Sequence, residues 1–300
     1  MIKPREDTPS LSGICDCHVH VFDADTERYP LHPNRTYTPP AASTEALVAL
    51  CEALGVQRTV VVQASPYGED NTCMLDVLRR LAPHARGVAV VSPQASLQDL
   101  WRLHHQGVRG VRVNLETAGE SDPATAGPML EAMAQLVQPL GWHVQTYTNL
   151  HVLQALSGLI ESLPVPLVVD HFGRAQAQPG LSQPGFSELL ALVRKGAVYV
   201  KLSAPYRISD KNDYPDVQPL ARALIDANPD RMLWGSDWPH PGAAAGPKRP
   251  PGEITPNRQE DDLRALRRCI AWAGSTPIAR KILVDNPARL YGFIEETNHA

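Results

Sequence analysis

Three features that mark large classes of protein are missing from this sequence of 300 residues. It has no run of like charges and no basic stripe, and its net charge is −4, so nucleic acid is not an expected partner. No stretch approaches about 18 uninterrupted apolar residues, so we expect no membrane-spanning segment. Residues 1–7 have no apolar core of signal-peptide length. We therefore predict a cytoplasmic protein.

Cysteine is scarce, and its spacing excludes a disulfide framework. The five cysteines are Cys15, Cys17, Cys51, Cys73 and Cys269. A chain of this length can bury a large core without cross-links, so we expect reduced thiols. Cys15 and Cys17 stand beside two histidines, which suggests metal ligation. Strand alternation turns these thiols away from the imidazoles, however, and favours buried packing.

A Gly-x-Gly-x-x-Gly turn is also absent after every predicted strand, which disfavours an open, doubly wound sheet, the runner-up fold. What the chain has instead is eight repeats of a short apolar or β-branched run followed by an amphipathic segment. Hydrophobic residues make up 43% of the sequence, enough for a large core. The repeats predict an α/β fold, a single (β/α)8 TIM barrel over 1–300.

The predicted element bounds follow from hydrophobic period, capping residues and glycines. Predicted strands cover 14–20, 58–64, 86–92, 109–114, 142–147, 166–171, 197–203 and 231–236. Predicted helices cover 44–54, 70–82, 96–106, 125–140, 149–162, 185–195, 216–227 and 258–273. An extra C-terminal helix over 276–283 should cap the barrel. The segment 239–256 is rich in proline and glycine and is either a lid or a connector.

Candidate functional residues lie where these strands end. On the first strand, Asp16, His18 and His20 are expected on one face, with the two histidine Cα atoms roughly 6.5–7 Å apart. Catalytic residues of such barrels lie at the carboxyl ends of strands, and buried polar groups there need partners or a function. The polar residues at these ends are His18, His20, Arg112, Asn114, Gln145, Tyr147, His171, Lys201, Ser203 and Asp237, with Arg207 just beyond.

The remaining histidines are expected to have lesser roles. His84, His104 and His105 lie on helices or their ends and should be solvated. His143 begins a strand and should be a core or bottom-face residue. His240 and Arg174 lie on loops near the barrel mouth and are secondary candidates.

These residues resemble the amidohydrolase superfamily, within it the amidohydrolase-related family 2. His18 and His20 on the first strand, His171 on the sixth and Asp237 on the eighth carry the resemblance. The similar branch contains lactonases such as 2-pyrone-4,6-dicarboxylate hydrolase and sulfomuconolactone hydrolase, and also galactarolactone isomerase. Further matching stretches are 62–71, 107–114, 234–240 and 286–293. The resemblance implies a hydrolase that opens a carboxylate-bearing lactone from aromatic or sugar-acid catabolism.

Lactone opening needs a base, electrophilic help for the carbonyl oxygen and cations for carboxylates. The resemblance implies Asp237 as the general base, with the three histidines polarising the carbonyl. Substrate-binding residues would be Arg112, Arg207, Tyr147, Asn114, Gln145, Ser65 and Tyr67. The two arginines would bind the anionic group, unless loop acids such as Asp210 or Glu116 neutralise them.

Two departures from the resemblance concern cofactor and substrate. Many superfamily members have a lysine or glutamate ending strand four and a histidine on strand five, where this chain has Arg112 or Asn114, and Gln145. A binuclear metal centre is therefore not expected. We favour no required metal, and the alternative is one zinc ion held by His18, His20, His171 and Asp237. The pyrone hydrolases also have a second arginine where this chain has Ala118.

Three other functions stay open. A metal-dependent decarboxylase of the aminocarboxymuconate type and a lactone isomerase would use a similar site. A non-catalytic protein that binds a small anion would need the arginines but no base. The expected partner is a small anionic lactone, and a homo-oligomer is left open.

Overall fold

The computed structural model describes residues 11–242 and 252–293. Eight strands follow one another in a single sheet, each parallel to its sequence neighbours. The strands are β1 (Cys15–Val19), β2 (Arg58–Val62), β3 (Ala85–Ala89), β4 (Val108–Asn114), β5 (His143–Tyr147), β6 (Leu167–Val169), β7 (Val198–Ser203) and β8 (Met232–Gly235).

Helices alternate with these strands. They are α1 (Thr44–Leu54), α2 (Thr72–Leu81), α3 (Leu97–His105), α4 (Leu115–Ala118), α5 (Pro123–Val137), α6 (Leu150–Ala155), α7 (Ser157–Ser162), α8 (Phe186–Arg194), α9 (Gln218–Ala227), α10 (Asp262–Ala273), α11 (Thr276–Arg280) and α12 (Asn286–Tyr291). The prediction of one continuous helix over 149–162 is wrong, because the structure has two helices there, α6 and α7. In the described part of the chain, no helix combines the length and the apolar composition needed to cross a bilayer.

Local sequence explains where the helices begin and end. The Ser43 side chain accepts a hydrogen bond from the Ala46 amide, which satisfies one of the free amides of the first turn of α1. Gly55 ends the same helix with φ of 70°, a left-handed conformation that suits glycine. The predicted bounds of α1 are confirmed.

The sheet closes between its first and last strands. The Asp237 amide donates to the His18 carbonyl at 2.9 Å, and the His20 amide donates to the Trp238 carbonyl at 2.8 Å. These bonds lie just beyond the end of β8 and join it to β1. The predicted TIM barrel is confirmed, and the open sheet is wrong.

The face assignment for β1 is wrong. The pairing of β1 with β2 shifts register between Asp16 and Val19, so strict alternation fails there. Cys15 and Cys17 lie inside the barrel, in a cluster with inward side chains of β2, β6 and β7. Buried packing of both thiols is confirmed, and all five cysteines are free.

The Asp16 carboxylate does not share the histidine face. It accepts from the amides of His18 and Ser236, at 3.1 and 3.0 Å, and so ties β1 to β8.

The C-terminal residues cap the barrel at the end opposite to the candidate site. After α11 the chain passes through a π-helical turn, Lys281–Asp285, into α12. Tyr291 and Phe293 pack against the inner strand residues, and the Tyr291 ring meets the His143 ring edge-on, with centroids 5.2 Å apart. The predicted cap and the core position of His143 are confirmed. Of the segment 239–256, residues 243–251 lie outside the described residues, so its interpretation as either a lid or a connector stays a prediction.

Candidate active site

Three imidazoles converge on one carboxylate oxygen at the carboxyl end of the barrel. The Nε2 atoms of His18, His20 and His171 lie 3.5, 3.7 and 3.8 Å from Asp237 Oδ1. All four residues are buried, and this oxygen has no hydrogen-bond partner among the described residues. An acceptor of this kind is costly to bury, so it indicates a place for a reacting molecule or an ion.

Backbone geometry at the strand ends places these side chains. His171 and Asp237 have φ of 50° and 67°, a left-handed conformation that is uncommon for residues other than glycine and concentrates at functional sites. Gly235 lets β8 approach β1, because a Cβ atom there would lie 2.6 Å from His18 Cβ. The sixth strand ends at Val169, earlier than predicted, and His171 lies in the turn that follows.

The second oxygen of Asp237 is held by residues of the turn that follows β7. Oδ2 accepts from the Tyr206 hydroxyl at 2.5 Å and from Arg207 Nε and Nη2 at 3.1 and 2.6 Å. Burial alone would raise the pKa of Asp237, but the Arg207 guanidinium and the three neighbouring imidazoles together outweigh it and hold that pKa well below its usual range. Asp237 is therefore a fixed anion.

The histidines are neutral and have defined partners on their outer nitrogens. Nδ1 of His20 lies 2.8 Å from the Val62 carbonyl, and Nδ1 of His171 lies 2.8 Å from the Ser203 hydroxyl. Burial lowers the pKa of His18 to about 3 and that of His20 to about 4. Such contacts fix the orientation of the rings.

A buried polar layer lies directly beneath the histidines. The Lys201 ammonium donates to Gln145 Oε1 at 2.7 Å and lies 3.4 Å from Asp170 Oδ1. The Gln145 amide group in turn donates to Asp170 Oδ2 at 3.0 Å. Both ends of Gln145, predicted as a substrate contact, are thus engaged within the protein.

Arg112 is the most weakly paired cation at the site. Its Nη1 donates to the Gln63 carbonyl at 3.1 Å, Nη2 lies 3.9 Å from Asp170 Oδ2, and Nε has no partner among the described residues. The alternative, that loop acids such as Asp210 or Glu116 neutralise the two arginines, is wrong for Glu116, which pairs with Arg174 at 3.3 Å. Arg207 is paired with Asp237 instead.

The other predicted substrate contacts line the same mouth. The Tyr147 hydroxyl accepts from Arg174 at 3.0 Å, and its ring meets the His171 ring edge-on. Asn114 donates to the Ser65 hydroxyl at 2.7 Å, which links β4 to the turn after β2. The Tyr67 hydroxyl accepts from the Asp23 amide at 3.0 Å.

Two tyrosines at the site were not predicted. Tyr206 bonds Asp237, and its position beside Arg207 could have indicated it. Tyr37 is buried within electrostatic reach of Arg112, Arg207 and Asp237. It comes from the long irregular connection after β1, where the sequence carries no periodic signal that places a side chain.

One of the lesser histidine assignments changes in detail, and the predicted position of His240 near the barrel mouth is confirmed. His104 is not fully solvated, because it is half-buried and its Nδ1 accepts from Trp142 Nε1 at 2.9 Å. His240 lies beside the site, with its Nε2 3.1 Å from Asp262 Oδ1.

The donor set could also hold a metal ion. His18, His20 and Asp237 present ligand atoms within 4.8 Å of one another, and the orphaned Asp237 Oδ1 faces all three Nε2 atoms. Imidazole nitrogen and carboxylate oxygen are common ligands of zinc. By spacing and chemistry these residues fit one divalent ion.

Comparison with known proteins decides the family. The amidohydrolase family model matches residues 15–293, almost the whole chain. The chain belongs to the amidohydrolase family. This amidohydrolase is 37% identical to a 2-pyrone-4,6-dicarboxylate hydrolase of Comamonas testosteroni, over 96% of this chain and 92% of the relative. It is 35% identical to a 4-sulfomuconolactone hydrolase of Hydrogenophaga intermedia, over 94% and 89% of the two chains.

A solved structure agrees with the fold of this amidohydrolase. A probable 2-pyrone-4,6-dicarboxylic acid hydrolase of Acinetobacter baumannii, crystallised with citric acid bound, superposes with a TM-score of 0.77. The two sequences are 25% identical, and the match covers 94% of this chain and 100% of the other. The resemblance inferred from the motifs is confirmed.

Proposed function

We propose that this amidohydrolase hydrolyses a lactone that carries at least one carboxylate or similar anionic group. The observation that carries the proposal is Asp237 Oδ1, which has no hydrogen-bond partner in the described part of the chain and faces three imidazoles at the barrel mouth. Arg112 and Arg207 supply positive charge beside it. The relatives named above are lactone hydrolases, and one related structure binds citric acid.

Asp237 acts in this proposal as the general base. Oδ1 takes a proton from a water molecule while the water oxygen adds to the lactone carbonyl carbon. The N–H donors of the imidazole cluster stabilise the negative charge that develops on the carbonyl oxygen. The ring C–O bond then breaks, and the proton passes to the departing ring oxygen, which yields the open hydroxy or keto acid.

The state of Asp237 restricts the substrate. A carboxylate with a lowered pKa is a weak base, so it cannot drive the loss of a strongly basic alkoxide. An activated lactone, whose ring oxygen leaves as a weakly basic enolate, lowers that demand. Lactones resembling 2-pyrone-4,6-dicarboxylate or muconolactone therefore fit better than sugar-acid lactones, and a role in aromatic-compound catabolism follows.

We further propose that no metal is required. Gln145, which stands where the resemblance implies a histidine in many members of the wider superfamily, is bound to Lys201 and Asp170 and adds no ligand. If a zinc ion were held by His18, His20, His171 and Asp237, it would supply Lewis acidity and an acidified water.

We also propose a cytoplasmic location, because five free cysteines are compatible with that reducing compartment. The site as described is formed by one chain.

A panel of lactones tests the function and the cofactor together. Acid release, followed with a pH indicator, should be fast for anionic enol lactones and slow for neutral ones. Elemental analysis and the same assay after chelation should show activity that survives metal removal. Absence of acid release from every lactone would refute the function, whereas stoichiometric zinc whose loss abolishes turnover would refute only the metal proposal.

The alternatives have weaker support. A decarboxylase of the aminocarboxymuconate type would release carbon dioxide, and an isomerase would return a lactone of unchanged mass. A protein that merely binds an anion would not need Asp237 Oδ1 directed at the imidazoles. Product analysis in the same panel separates these three outcomes.

A further inference from the structure

A continuous line of hydrogen bonds runs beneath and through the histidine cluster. The Val62 carbonyl lies 2.8 Å from His20 Nδ1. His20 Nε2 lies 3.2 Å from His18 Nε2, and His18 Nδ1 lies 3.2 Å from the Lys201 ammonium. Every atom of this line is buried, so each contact has to be a proper donor and acceptor pair.

The two ends of the line determine the direction of every bond in it. A carbonyl only accepts, so His20 Nδ1 carries a proton and, in the neutral ring, its Nε2 accepts. His18 must then donate from Nε2, which leaves its Nδ1 as an acceptor. A lysine ammonium only donates, and it meets that acceptor. The tautomers of both histidines follow from their partners.

The competing arrangement would put the His18 proton on Nδ1, directed at Asp170. In that arrangement Asp170 Oδ1, 3.3 Å from Nδ1, would accept the proton, but the Lys201 ammonium, which only donates, would face an N–H group at 3.2 Å. The Nε2 lone pairs of His18 and His20 would also face each other at 3.2 Å. The hydrogen-bond geometry thus disfavours this arrangement.

We propose that Lys201 is a positioning residue that holds His18 in the tautomer with its proton on Nε2. In the proposed reaction, on which this use of the tautomer rests, the lactone carbonyl oxygen replaces His20 Nε2 as the acceptor of this His18 N–H. The same contact opposes metal binding by His18, because a ligating Nε2 must lose its proton. The Lys201 ammonium contacts His18 at Nδ1 and in this proposal does not touch the substrate.

The burial of Lys201 supports a specific role. The side chain is fully buried, and burying its ammonium group costs free energy that needs compensation. Asp170 and Gln145 provide it from β6 and β5. An apolar side chain would fill the same volume more cheaply, and it could not donate to His18.

Nitrogen NMR of the free protein tests the tautomer directly. In protein labelled with ¹⁵N at histidine, the His18 resonances are identified by their loss in His18→Asn, and a long-range proton–nitrogen spectrum shows which nitrogen bears the proton. We expect the proton on Nε2. A proton on Nδ1, whether in a free or a metal-bound ring, would overturn the proposal without the use of any variant at position 201.

Variants of Lys201 test its effect on turnover. Lys201→Met should lower kcat roughly tenfold or more and change KM little, because the residue orients a catalytic group. Lys201→Gln, which keeps an N–H donor, should recover part of kcat, and Lys195→Met, which removes an exposed lysine, should behave as wild type. Equal kcat in Lys201→Met and wild type would contradict the role.

The two proposals fail in distinguishable ways. The tautomer is measured without substrate, so an error in the substrate class leaves the NMR result unchanged. Conversely, if His18 carries its proton on Nδ1, the tautomer proposal fails, but lactone turnover by the wild type still supports the proposed function.

Discussion

The two oxygens of Asp237 have different surroundings, and this difference defines the site. Oδ2 is bonded to Tyr206 and Arg207, which fix the carboxylate in place. Oδ1 faces the imidazoles and remains able to accept a proton. In the proposed mechanism one side chain is thus both anchored and reactive, as a preorganised base must be.

Substitution of Asp237 by asparagine tests its role as the base. Asp237→Asn keeps the shape but removes the proton acceptor, so the rate of hydrolysis should fall by about 10²–10⁴. Initial rates of the variant and the wild type are compared, and circular dichroism establishes that the variant is folded. Asp99→Asn, which changes an exposed acid on α3, is the matched control. Near-normal turnover by the folded Asp237→Asn variant would contradict the role of Asp237 as the general base.

Arg112 is the residue that best tests recognition of the substrate charge. Arg207 is less suitable, because its loss would also release Asp237. Arg112→Met should raise KM for an anionic lactone at least tenfold, about 1.4 kcal/mol, and leave a neutral lactone of the same ring almost unaffected. The exposed Arg102→Met serves as control. An equal loss on both substrates would mean that Arg112 supports the fold and does not recognise charge.

At the scale of elements, β1 shows where sequence patterns stop being sufficient. The paired histidines at its end were predictable from their spacing. The register shift between Asp16 and Val19 was not, because it depends on how β1 meets both β2 and β8. Strict alternation therefore placed Cys17 on the wrong face.

The C-terminal helix α12 contributes stability at the end away from the site. Tyr291 is fully buried against the inner strand residues. Tyr291→Ala should therefore lower the free energy of unfolding by about 3–5 kcal/mol, the usual cost of removing a large buried ring. Urea denaturation measures this, with the half-buried Leu290→Ala as a milder control.

Measurements of activity should show that this loss of stability leaves the chemistry at the site unchanged. Well below its melting temperature, Tyr291→Ala should keep kcat/KM near the wild-type value, because the cap lies at the opposite end of the barrel. A stable but inactive variant would show that the cap shapes the site, contrary to our account.

At the scale of the whole molecule, eight similar units produced a predictable architecture. Their alternation indicated a closed barrel, and the barrel in turn indicated which strand ends would meet. What could not be predicted were the pairings across strands, such as Arg207 with Asp237 and Lys201 with Asp170. They depend on side-chain geometry between elements distant in sequence, as does the position of Tyr37.

The barrel also separates stability from function. Apolar side chains and the C-terminal cap fill one end, while charged and imidazole groups gather at the other. Such a division is usual for this fold, in which the loops after the strands carry the chemistry. The position of a residue along the barrel axis therefore predicts whether its substitution affects stability or turnover.

Hydrolysis in water enriched with ¹⁸O tests the central claim most directly. If the protein opens an anionic enol lactone by attack of water on the carbonyl carbon, mass spectrometry should find one ¹⁸O atom in the new carboxylate of each product molecule. Incubation without enzyme gives the background. An enzymatic product that carries no ¹⁸O would show isomerisation or decarboxylation and would contradict the account.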